Sequence, residues 1–71
     1  MYVKKNNCTN LTIVRQERGM TREMLSEKSG VAIRAIETYE QGRVNINNAA
    51  VWKVRDLARA LDVPIEEILN E

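Results

Sequence analysis

Histidine and phenylalanine are absent from this 71-residue sequence, cysteine and proline occur once each, and glycine three times. Without histidine the chain lacks the commonest general base and the commonest metal ligand. Cys8, alone, forms no disulfide framework and no thiolate metal cage, and it reads as an unremarkable reduced thiol. No nucleophile–base pair emerges from the remaining residues, so enzyme chemistry is rejected and no cofactor is expected. No apolar run approaches the length needed to span a bilayer and no signal peptide is visible, which excludes a membrane role and predicts a cytoplasmic protein. Aromatics are confined to Tyr2, Tyr39 and Trp52. The apolar residues are mostly Leu, Ile, Val, Ala and Met, a set suited to helix packing rather than to a sheet. The length allows one compact domain with a thin core, so its stability rests on well-capped, closely packed helices, with self-association as a possible aid.

Net charge is only +1, which taken alone argues weakly against a nucleic-acid partner, but its distribution is uneven. Residues 1–34 carry Lys4, Lys5, Arg15, Arg18, Arg22, Lys28 and Arg34 against Glu17, Glu23 and Glu27, leaving +4. Residues 60–71 carry Asp62, Glu66, Glu67 and Glu71 with no cation. Such asymmetry points to a directional partner surface, although a solvated helical surface with chance clustering accounts for it about as well. The four acids are read as solvated groups and first-turn residues of a helix, not as metal ligands.

Residues 1–9 lack periodicity and read as a flexible arm; residues 10–70 read as a single domain. A first helix is expected from Asn10 to Arg18, capped by Thr9 or Asn10, with Leu11, Val14 and Arg15 inward and Gly19 ending it. Thr21 caps a second helix, Arg22 to Ser29, that buries Leu25; Gly30 supplies the left-handed backbone of a tight turn. A third helix runs from Ala32 or Ile33 to Glu40, with Val31, Ile36 and Tyr39 inward, and Gly42 closes it. Residues 43–48 read as a polar loop ending in a helix cap at Asn47 or Asn48. The fourth helix, Ala49 to Leu61, repeats apolar residues at Ala50/Val51, Val54, Leu57/Ala58 and Leu61. Trp52 falls off that stripe and covers either the loop around Val44 and Ile46 or a partner interface. Asp62-Val63-Pro64 breaks the helix, and Pro64 opens a short fifth helix through Leu69 with Ile65, Ile68 and Leu69 inward. Five short helices make an all-α domain.

Two short helices around Gly30, within about 21–40, are by themselves only the outline of a helix-turn-helix. The surrounding residues are more specific. Leu11, Val14-Arg15, Arg18-Gly19-Met20-Thr21-Arg22 and Leu25 lead into Gly30-Val31, Ile36 and Tyr39-Glu40-Gln41-Gly42, and the chain ends in Leu57-Ala58-Arg59-Ala60-Leu61-Asp62-Val63-Pro64-Ile65-Glu66-Glu67-Ile68-Leu69. This series resembles the Cro/cI-type (Xre) helix-turn-helix family over residues 10–70. The resemblance implies a five-helix, lambda-repressor-like DNA-binding domain. Three departures stand out. Ser26 replaces the usual alanine, Ala32 stands where a capping Ser or Thr is common, and the loop after Gly42 is longer, as in some small Firmicute regulators.

The resemblance assigns base contacts to Ala32, Ile33, Arg34, Glu37 and Thr38, and helical geometry agrees, since 33, 34, 37 and 38 share the face opposite Ile36 and Tyr39. An α-helix fits the major groove, where each base pair shows a distinct donor, acceptor and methyl pattern. Arg34 suits guanine O6 and N7, Ile33 and Ala32 thymine methyls, and Thr38 a base edge or methyl; Glu37 accepts from cytosine or orients Arg34. Thr21 and Arg22, at the start of the second helix, are assigned to phosphate, as are Arg43, Asn45, Asn47 and Asn48 from the loop. For the asparagines, turn and cap formation explains the residues equally well. Lys4 and Lys5 read more simply as part of a disordered arm than as DNA contacts. Arg15 and Glu40 are expected to pair and tie the third helix to the first. The function expected is that of a sequence-specific transcriptional regulator, a repressor, binding double-stranded DNA as a homodimer and taking no small-molecule ligand. The alternative is a protein-interaction module such as an antitoxin or anti-factor.

Overall fold

A threonine before each of the first two helices decides where they start. In the computed structural model, which describes residues 9–70, Thr9 and Thr21 have extended backbones and their hydroxyls accept from the amides of Thr12 and Met24. This satisfies one of the free amides that every helix start leaves over. The helices that follow are α1 (Asn10–Glu17) and α2 (Arg22–Ser29). Next come α3 (Ile33–Glu40) and α4 (Val51–Leu61), which begin after Ala32 and Ala50 with no side-chain cap. The sequence-predicted arm, with Lys4, Lys5 and Cys8, lies outside the described residues apart from Thr9, as does Glu71.

The described residues are all helix, turn and loop. Two elements differ from the sequence reading. The expected fifth helix is a single 3-10 turn at Ile65–Glu67, so the described residues hold four α-helices and two 3-10 turns. Two residues beyond that turn, the Leu69 carbonyl accepts a 2.7 Å bond from the Asn10 side chain. The loop after Gly42 also contains a 3-10 turn, Ile46–Asn48, and α4 starts at Val51 instead of Ala49. Neither Asn47 nor Asn48 caps α4. Asn45 caps the 3-10 turn, and the Asn47 side chain binds Asn70 instead.

The core is small and aliphatic. Leu11, Leu25, Val31, Ile36, Ile46, Leu57, Leu61 and Ile68 are fully buried, with Tyr39, Val54, Ala58 and Ala60 around them. Each buried Leu or Ile contributes about 1.5–3 kcal/mol relative to exposure. Ile46 explains why the loop folds back: its side chain seats in the core while residues 43–45 and 47–48 stay exposed, and the turn around it keeps the backbone bonded. The inward stripe predicted to begin at Ala50/Val51 begins later: Ala50 is exposed and Val51 is 77 % exposed. The later helix start moves it onto the first, outward-facing turn. Trp52 is 50 % exposed, with the Lys53 ammonium 5.6 Å from its ring centre.

α2 packs on both α3 and α4, and α1 on α3 and the final turn. The α2–α3 connection is held at both sides. Gly30 is left-handed at φ 77° and its amide donates to Ser26 carbonyl oxygen. Ser26 Oγ donates 2.7 Å to the Val31 carbonyl, and Ser29 Oγ accepts from the Val31 amide. Ser26, where the resemblance leads one to expect alanine, thus fastens the turn between α2 and α3. No described helix is long and apolar enough to cross a membrane.

Candidate nucleic-acid interface

α3 turns Ile36 and Tyr39 into the core and leaves the opposite side to solvent. Ala32 and Arg34 are exposed there, and Ile33, Glu37 and Thr38 are half-buried. Arg34 takes part in none of the ion pairs among the described residues, so Glu37 does not orient it by direct pairing. Its guanidinium can offer parallel donors to a planar acceptor edge without first breaking a bond. Thr38 Oγ1 donates 2.8 Å to the Arg34 carbonyl, which uses its only hydrogen. The hydroxyl can then accept from a base amine while its methyl stays available for apolar contact.

Thr21 has the opposite polarity. Its oxygen accepts the Met24 amide at 3.1 Å, leaving the hydroxyl hydrogen to donate to an anion. Beside it, Arg22 is 43 % exposed along its side chain, and its Nε donates 2.8 Å to Glu40 Oε1. That hydrogen bond, reinforced by the carboxylate's charge, raises Arg22 above the ordinary guanidinium value.

Glu40 is the centre of the arrangement. Its side chain is 1 % exposed and is shared by two arginines. Arg15 reaches it from α1 with Nε at 2.7 Å and Nη2 at 3.3 Å, and also donates Nη1 to the Met20 carbonyl. The last residue of α3 is thus tied to α1, to the start of α2, and through Arg15 to the connection between them. No buried polar side-chain atom among the described residues lacks a partner. Removing one member of such a buried pair costs about 3–5 kcal/mol, because the other charge is left stranded. The Arg22 branch was missed in the sequence. Its partner lies 18 positions away on another helix, and no periodicity links the two.

The four loop residues divide into two kinds. Arg43 and Asn48 are exposed, and Arg43 takes part in none of the ion pairs among the described residues. Asn45 Oδ1 accepts from the Asn47 amide and from Asn70 Nδ2, and Asn47 exchanges two bonds with the Asn70 backbone, at 2.6 and 2.8 Å. Asn45 and Asn47 are thus already engaged in closing the loop on the chain's final residues. Among the described residues no group of three Cys, Asp or Glu is placed to hold a metal ion.

Comparison with known proteins agrees with this geometry. A family model described as helix-turn-helix matches residues 11–68. The restriction-modification controller protein C.AhdI from Aeromonas hydrophila has a similar solved structure, with a TM-score of 0.74 and 27% sequence identity. The match covers 84% of this chain and 86% of that one. No curated protein matches the sequence significantly.

Proposed function

Because the chain belongs to the Cro/cI-type helix-turn-helix family, we infer that it is a sequence-specific DNA-binding transcriptional regulator, and we propose that it acts in the bacterial cytoplasm as a repressor. In this reading α3 enters the major groove, with Ala32, Ile33, Arg34, Glu37 and Thr38 toward base edges. Thr21 and Arg22 grip phosphate on one side of the groove; Arg43 and Asn48 do so on the other, with Asn45 and Asn47 contributing only what their loop bonds leave free. The observation that carries the reading is an exposed, ion-pair-free Arg34 on a helix whose far end is locked to two neighbours. A rigid presenting helix with one unengaged guanidinium suits direct readout, where a bidentate pair contributes about 1–3 kcal/mol of discrimination.

The protein acts as a homodimer on DNA, with half-sites about 34 Å apart, one helical turn. Its extents of 35 × 25 × 22 Å are compatible with two copies side by side at that spacing. Exposed Val44, Val51 and Trp52 favour a second reading, in which the domain grips another protein in the manner of an antitoxin or anti-factor. Selection from random duplexes with purified protein, followed by binding at rising salt, separates the two. A regulator yields a palindromic site and affinity that falls steeply with salt. Absence of any enriched site, with no retention on duplex at low salt, refutes the DNA reading.

A further inference from the structure

The loop after α3 is held at three points. At its start the Arg43 amide donates 3.1 Å to the Thr38 carbonyl, in its middle Ile46 is seated in the core, and beyond that Asn47 binds Asn70. The third hold differs in kind. Asn47 Nδ2 donates to the Asn70 carbonyl at 2.6 Å and Asn47 Oδ1 accepts the Asn70 amide at 2.8 Å, so one side-chain amide pairs with both backbone groups of a single residue. Only a side chain that offers a donor and an acceptor together can do this. Asn70 Nδ2 adds a 3.2 Å bond to Asn45 Oδ1, and the preceding carbonyl, that of Leu69, accepts from Asn10 of α1. The loop is therefore braced against α1 through residues 69 and 70. A single buried side chain such as Ile46 lets the backbone on either side pivot about it. A two-bond pair on the next residue removes that freedom. Arg43 and Asn48, both exposed, flank the braced stretch.

We propose that Asn47 is a positioning residue for the loop: clasped to Asn70, it sets where Arg43 and Asn48 meet the DNA backbone, and it makes no DNA contact itself. Holding a loop in its bound geometry removes an ordering cost from binding. Charge separates this role from direct contact. Asn47 is neutral, and a neutral group that touches a phosphate displaces no counterion, so its removal as a contact leaves the salt dependence of binding unchanged. Acting through Arg43, its removal loosens the grip of a cation and lowers the salt slope. This proposal rests on the DNA-binding reading above.

The test compares wild-type protein, Asn47→Ala, Arg43→Ala and the double variant on the selected duplex over a range of salt. Asn47 is exposed and lies outside the α-helices, so Asn47→Ala is expected to fold, which far-UV circular dichroism at the binding temperature checks. If it does not fold, Asn70→Ala, which loses the side-chain bond to Asn45, takes its place with the same direction expected. Asn47→Ala should weaken binding by about fivefold, the net scale of one neutral hydrogen bond, and lower the salt slope by up to about 0.9, the share of one phosphate. When Arg43 is already alanine, the same substitution should cost less than about twofold, because the cation it positions is gone. The Asn70 amide should be protected from hydrogen exchange in the wild type and lose that protection in Asn47→Ala. Binding by Asn47→Ala at wild-type strength, or an equal loss in both backgrounds with an unchanged slope, overturns the positioning role. Free exchange of the Asn70 amide in the wild type overturns the clasp. Failure of the wild-type protein to bind any duplex overturns the underlying reading itself.

Discussion

The four α-helices start in two different ways, and the difference predicts a stability gain. At Thr9 and Thr21 the amide three residues on bonds the threonine hydroxyl, while the carbonyl of the same threonine accepts from the residue four on. At Ala32 and Ala50 there is no hydroxyl. The amides of Ala35 and Lys53 bend back to the cap carbonyl instead, at 3.0 Å in both cases, sharing it with Ile36 and Val54. The alanine backbones, at φ −57° with ψ 140° and 138°, already lie outside the helical region, as a cap requires. Ala32→Ser and Ala50→Ser therefore need no rearrangement. A full alanine-to-serine cap is typically about 1 kcal/mol. Because the amide is already half-satisfied, each gain should be about 0.5–1 kcal/mol, which for a domain of this size raises the melting midpoint by roughly 2–8 °C. The sites lie on different helices, so the double variant should be additive within about 0.5 kcal/mol. Thermal unfolding followed by circular dichroism, without DNA, measures all three. If neither single substitution raises the midpoint, the shared carbonyl already satisfies the amide in full and the argument is wrong.

Arg34→Ala should flatten preference at one base pair by about 1–3 kcal/mol, read as relative affinities for a set of singly altered duplexes. Arg43→Ala should weaken all duplexes alike and reduce the salt slope by about one, so a sequence-dependent effect would remove it from the phosphate set. Glu40→Ala strands two arginines, one of them buried, and should destabilise the fold by about 3–5 kcal/mol in urea titration; a loss under 1 kcal/mol would contradict the central role given to that carboxylate.

Wherever one local rule decided the outcome, the sequence and the structure agree. Thr9, Thr21 and Gly30 govern backbone within a few residues of themselves, and the helix starts and the turn between α2 and α3 lie where they indicate. Val54, Leu57, Ala58 and Leu61 repeat at helical spacing along α4 and are buried. Disagreement came where a long-range partner outweighed local preference. Asn47 is a good cap by type, but Asn70 claims its side chain from 23 positions away. Pro64 suits the first turn of a helix, yet only one 3-10 turn follows, and the Leu69 carbonyl beyond it is held by Asn10 of α1. Ile46 looked like a loop residue because its neighbours are polar, and only the closed fold reveals the hole it fills. The face of α3 was legible from its period; the hold of Glu40 on Arg22 was not, since it depends on how two helices cross.

The bond from Asn10 to Leu69, beside those from Asn47 and Asn45 to Asn70, also has a kinetic meaning. In most small helical domains the ends fray independently and the middle outlasts them. Here the first turn of α1 and the last residues are latched to one another, with Ile68 seated in the core between them. Opening either end breaks the bond that joins it to the other. Hydrogen exchange at the start of α1 should rise and fall together with exchange in the final turn, although nearly the whole sequence lies between them.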